Sequence, residues 1–169
     1  HFNKNKPKIV KLKPWYYAAA ASAAILFGLF FFNHNSDPDF EDFNQPEQAY
    51  FTERGDAALE LKQAEDAFNS KNYKKAIPLF QTILKENKTA EIHYFYGIAL
   101  LEENQFIKAE SVFNELKSGT SVYKNKAVWN LALSKLKQKD YKASKEILLT
   151  IPSDFEHYDK VEELLKELD

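Results

Sequence analysis

Apolar and polar positions follow a different rule in each part of this chain. Residues 15–32 form a run without charge, from Trp15 through an alanine-rich middle to Phe32. As a helix rising about 1.5 Å per residue, the run would be about 27 Å long, close to the hydrocarbon thickness of a bilayer, so a transmembrane helix is expected there. Residues 33–52 carry Pro38, Pro46 and many acidic and amide side chains, with scattered aromatics (Phe40, Phe43, Tyr50, Phe51). That pattern predicts a polar spacer whose phenylalanines can dock locally on the domain that follows. From about residue 53 to the end, apolar residues recur three and four positions apart, the spacing of amphipathic helices, and short polar stretches at 69–72, 103–105 and 137–140 break them.

The helical part repeats itself. Aligning Tyr73, Phe106 and Tyr141, which are 33 and 35 residues apart, brings their neighbours into step. Nine residues upstream stand Ala64, Gly97 and Ala132, and five upstream Phe68, Leu101 and Leu136. Three downstream stand Ala76, Ala109 and Ser144, and seven downstream Phe80, Phe113 and Leu148. Two helices approach closely only where a side chain is small. Ala64, Gly97 and Ala132 are therefore expected to face Ala76, Ala109 and Ser144, with the large residues filling space beside each crossing. The unit resembles the tetratricopeptide repeat, a helix-turn-helix of roughly 34 residues with the same succession of small and aromatic positions. The resemblance covers about residues 56–152 and departs from the family pattern at Gln63, at Ser144 and at the unit ends, where Lys88 and Thr89 replace the usual proline and Pro152 comes early.

The fold class expected is all-α: a single N-terminal transmembrane helix, then a helical-hairpin solenoid of three repeats (about 57–88, 90–121 and 125–152) within a domain at 53–169. After the third unit, Phe155, Tyr158, Val161, Leu164, Leu165 and Leu168 make an apolar stripe behind Ser153 or Asp154. It predicts a closing helix over 154–168, because a repeat stack cannot leave its last apolar face in water.

Charge decides sidedness. Lys4, Lys6, Lys8, Lys11 and Lys13 precede the apolar run, while Asp37, Asp39, Glu41, Asp42 and Glu47 follow it, so the local balance changes from +5 to −5. Lysines stay on the cytoplasmic side of a span, which places 1–14 in the cytoplasm and the repeats outside it. A cleaved signal is the competing reading, but Phe30, Phe31, Phe32, Asn33 and His34 stand where small residues would be required. The start at His1 and the lack of methionine are expected of a piece of a longer gene product.

Composition removes most chemistry. There is no cysteine, hence no disulfide, thiolate zinc site or cysteine nucleophile. His34, His93 and His157 are far apart and lack metal-ligand spacing, and neither a phosphate-binding glycine loop nor a hydrolase elbow is present. From residue 50 onward 18 basic and 20 acidic residues are interleaved, so no basic stripe exists for a nucleic acid backbone. No cofactor, no small-molecule substrate and no catalysis are expected.

The resemblance implies a concave groove lined by the first helix of each unit: Leu61, Lys62, Glu65 and Asn69; Glu91, Tyr94, Phe95, Ile98 and Glu102; Lys126, Trp129, Asn130, Leu133 and Lys137. Members that clamp a peptide carboxylate use lysine, arginine and asparagine at defined groove positions. Here only Lys126 fits, which disfavours capture of a free C-terminus. Tyr94 and Trp129 occupy corresponding places in successive units and can serve as neighbouring anchors for an apolar segment, or pack on each other and under the spacer's phenylalanines. The candidate partner-binding set is Tyr94, Phe95, Ile98, Lys126, Trp129, Asn130 and Leu133. Trp129→Ala is expected to weaken partner capture while leaving helicity largely intact.

The order of lysines, alanine-rich span, acidic spacer and three repeats is similar to a family of membrane-anchored tetratricopeptide proteins common in Bacteroidetes, whose upstream part is often anti-sigma-factor-like. The resemblance implies a single-pass inner-membrane scaffold with a periplasmic repeat domain that binds protein partners. Its alternatives are the sensor half of a transmembrane anti-sigma-like regulator, or an accessory subunit of a secretion or envelope-assembly membrane complex.

Overall fold

The computed structural model describes residues 37–52 and 58–169; the lysine-rich segment, the expected span at 15–32 and residues 33–36 and 53–57 lie outside the described residues. Among the described residues no helix is long and apolar enough to cross a membrane. Those from Pro38 to Asp169 belong to one unit that is all-helical, with no strand among the described residues. Its helices are α1 (Phe40–Phe43), α2 (Ala58–Asn69), α3 (Tyr73–Glu86), α4 (Ala90–Glu102), α5 (Phe106–Lys117), α6 (Lys124–Lys137), α7 (Tyr141–Leu148) and α8 (Tyr158–Glu167). From α2 onward each helix packs on the next, α4 also meets α6, and α1 lies against α6.

Local chemistry sets the boundaries. Asn72, Thr89 and Asp140 cap α3, α4 and α7 by accepting a hydrogen bond from the backbone N–H three residues on, which satisfies one otherwise orphaned donor in each helix. The three turns close alike. Lys71, Asn104 and Lys139, each two residues before the aligned aromatic, have φ of 58°, 57° and 60°. The Lys71 N–H donates to the Phe68 carbonyl and the Asn72 N–H to that of Ala67, and the same two bonds recur at Asn104 and Gln105 and at Lys139 and Asp140. This double closure ends a helix with one left-handed residue, and no glycine supplies it here.

The aligned small and large positions form the centre of the core: Ala64, Ala76, Phe80, Ala109, Phe113, Ala132, Ser144 and Leu148 are buried, as are Phe68, Leu101 and Leu136. In the third hairpin the small residues face each other as expected, with Ser144 Oγ donating to the Ala132 carbonyl at 3.0 Å. In the second, the atoms nearest to Gly97 come from the Phe113 and Val112 side chains. A Cβ built on Gly97 would lie 2.6 Å from Phe113 Cε1. The α4–α5 crossing is close enough that a ring fills the place of the missing methyl. Between α5 and α6, Glu110 accepts from Ser134, Lys135 and Gln138 at 2.7–2.8 Å. Burial raises its pKa, but these donors outweigh that and hold it below the ordinary value.

The end of the chain differs from the expected helix over 154–168. Turns at 152–158, in which the Phe155 N–H donates to Pro152 and the Tyr158 N–H to Phe155, delay α8 until Tyr158 and bury the Phe155 ring. Val161 and Leu164 then close the core.

Candidate functional site

The first helices of the three hairpins, α2, α4 and α6, present their groove positions to residues 38–52. The acidic segment expected as a spacer belongs to the same unit as the helices. Asn69, Glu102 and Lys137 stand at one repeat register, and each holds a different part of the segment. Lys137 Nζ lies 4.2 Å from the Phe40 ring centroid, a cation–π contact. Asn44 Nδ2 donates to Glu102 Oε1 at 2.7 Å. Asn69 takes both backbone groups of Ala49, accepting from its N–H at 2.8 Å and donating to its carbonyl at 2.9 Å. The segment thus runs from the third unit to the first, opposite to the order of the repeats.

Its two ends are held differently. At the first unit, the Phe51 N–H donates to buried Glu65 Oε2 at 2.8 Å, and the Phe51 ring meets Phe80 and Phe95 edge-on with centroids 6.0 and 5.5 Å apart. Ala49 is wholly buried. Toward the third unit, α1 forms a single turn capped by Asp39, which accepts from the Glu41 N–H. Phe40 and Phe43, three apart, fall on its inner face and are buried, while Glu41 and Asp42 stay in water.

Six of the seven sequence-nominated residues, Tyr94, Ile98, Lys126, Trp129, Asn130 and Leu133, line one small cavity of about 40 Å³ beneath Asn44, Gln45, Pro46 and Glu47. Phe95 lies elsewhere in the core, against Phe51 and Phe68. Tyr94 stacks at 5.0 Å on Tyr123, whose hydroxyl donates to Glu91, and Asn130 Nδ2 donates to the Tyr94 hydroxyl at 3.3 Å. Burial, with Glu47 and Glu156 nearby, pushes the Tyr94 phenol far above its ordinary pKa, so it is neutral at any physiological pH. Trp129 is 9% exposed, which changes the expectation for Trp129→Ala. Removing a buried ring of this size costs on the order of 3–5 kcal/mol, and that loss falls on the fold as well as on any partner.

Lys126 is the electrostatic centre, with Nζ 2.6 Å from Glu47 and 3.0 Å from Glu156. Burial lowers its pKa, but the two carboxylates more than offset this and hold it above the ordinary lysine value. Glu47, Glu156 and His157 bring potential metal-ligand atoms within 4.8 Å of one another. The Lys126 ammonium already lies between the two carboxylates and supplies the charge they need, so the cluster is an ion-pair junction. Nothing in it pairs a nucleophile with a base.

The sequence allows the spacer's phenylalanines to dock here and to cover Tyr94 and Trp129; it does not name the polar contacts that fix them. Asn44 and Glu47 enter the site from the acidic segment, and Phe155, Glu156 and His157 from the turn before α8. The available signal was the pair Phe40 and Phe43 at helical spacing, with acids between and beside them. Comparison with protein-family models, with curated proteins and with solved structures gives no match to this chain.

Proposed function

We propose that this chain is a non-catalytic membrane-anchored scaffold whose tetratricopeptide-type domain binds another protein. In this reading residues 15–32 anchor it in a bacterial inner membrane with the N-terminus cytoplasmic and the repeats periplasmic. The observation that carries the reading is that side chains at one repeat register, Asn69, Glu102 and Lys137, each grip part of a segment laid across α2, α4 and α6. A surface that binds backbone and side chains of a segment in this way suits peptide recognition and offers no reaction chemistry.

The test is affinity purification of the full chain in mild detergent beside Lys126→Glu, with mass spectrometry of the recovered proteins. Lys126 is preferable to Trp129 because the substitution reverses the charge that meets Glu47 and Glu156 without opening a core cavity. A membrane or envelope protein recovered at matching stoichiometry and depleted at least fivefold in the variant supports the reading. Recovery unaffected by the variant would mean that binding does not go through the groove.

A further inference from the structure

Resting on the scaffold reading, we infer that the groove is a site for an acidic peptide carrying Phe-x-x-Phe on one helical turn with a carboxylate four residues later, and that residues 38–47 are its built-in competitor. The segment in place shows which chemistry the groove accepts: Phe40 under the Lys137 ammonium, Phe43 buried beside it, and the Glu47 carboxylate on Lys126. Glu41 and Asp42 face water and leave the two lysines as the groove's charge partners.

The hold on this segment is uneven. Among the described residues, the hydrogen bonds from groove side chains to its backbone are at Ala49 and Phe51, next to unit one. Residues 38–47 are held by two rings, one side-chain hydrogen bond and one ion pair that is partly in water. A cleft of about 250 Å³ stays open between Phe43, Gln45 and Glu47 on one side and Trp129, His157 and Lys160 on the other. Gln45, Glu47 and His157 in its lining are exposed, so the cleft is a solvent-filled notch beside the Trp129 ring with room for a larger side chain than Gln45 offers. A competing peptide with a larger apolar residue in place of Gln45 fills it. Because the internal segment is tethered, its effective concentration is in the millimolar range, and an outside peptide binds weakly until that segment is loosened.

The experiment titrates a fluorescent peptide of sequence DPDFEDFNQPEQ, residues 37–48, into the full chain in detergent, read by anisotropy. The wild-type chain is expected to bind it weakly, and the Phe40→Ala/Phe43→Ala chain at least tenfold more tightly. Peptide carrying both alanines should lose binding, and peptide with Gln45→Leu should gain several-fold. If the double variant loses helicity, Glu47→Lys, which only breaks the surface ion pair, carries the test with an expected gain of threefold or more. No gain in a folded variant overturns the inference. So does a wild-type dimer that the double variant dissolves, since the occupant would then come from a second copy. Peptide binding without any protein recovered by affinity purification keeps this site and removes the scaffold reading. A recovered partner that excess peptide fails to displace does the reverse.

Discussion

Gly97→Ala pits two effects of known size against each other. Ala is favoured over Gly in a helix interior by about 1 kcal/mol, so on propensity alone the substitution in α4 stabilises. Its Cβ, however, would sit 2.6 Å from Phe113 Cε1 and 3.0 Å from both Phe113 Cζ and Val112 Cγ1. Carbon atoms rest about 3.5–4.0 Å apart, so roughly 1 Å must be recovered by moving the ring or parting α4 from α5. The Phe113 side chain is fully buried, and overpacking of this kind costs about 1–3 kcal/mol. The net expectation is a loss of about 1 kcal/mol. For a unit of roughly 130 residues, that lowers the melting temperature by about 3–4 °C, measurable by circular dichroism or calorimetry. The same assay on Gly97→Ala/Phe113→Leu isolates the clash. The double variant should lose less than the sum of the singles, by about 1 kcal/mol, because the smaller side chain makes room for the methyl. A Gly97→Ala protein that melts higher than wild type, or strict additivity with Phe113→Leu, would refute the steric argument and leave propensity in control.

Two further outcomes follow from the same structure. Lys71→Gly and Lys139→Gly should each stabilise by about 0.5 kcal/mol, since glycine relieves a left-handed φ that costs an L-residue about 1–2 kcal/mol, less the added freedom of the unfolded chain; a fall in melting temperature for both would contradict this. His93 is held below the ordinary histidine pKa by burial, against Glu115, which raises it, with Lys88 adding a smaller lowering. The native state therefore prefers the neutral ring, whose contribution is complete above the unfolded value of about 6.5 and is lost as pH falls from there toward the folded one. Between pH 7.5 and 5 the wild type should lose more melting temperature than His93→Gln, and equal losses would show that His93 does not contribute.

The sequence by itself determined the helices and their order. Periodicity at three and four residues, polar turns and recurring small positions are local properties, and each is written in contiguous residues. The three helix-ending turns were visible as polar breaks, and the core positions at Ala64, Ala132, Phe80, Phe113 and Leu148 as members of an aligned register. Even the groove face was legible, because Asn69, Glu102, Lys126 and Lys137 fall on the first helix of each unit. The start of α8 was not, since the turns at 152–158 depend on the Phe155 ring finding a place in the core. Nor was the close approach of the Phe113 ring to Gly97, which is a matter of how far α4 and α5 slide along each other. Above all, only the tertiary structure decided what lies in the groove. Residues 38–52 read as a spacer because acids and prolines dominate them, and their few rings show no long periodicity. Their burial comes from groups 14 to almost 100 residues away, from Glu65 on Phe51 to Lys137 on Phe40, and no local pattern encodes such a pairing.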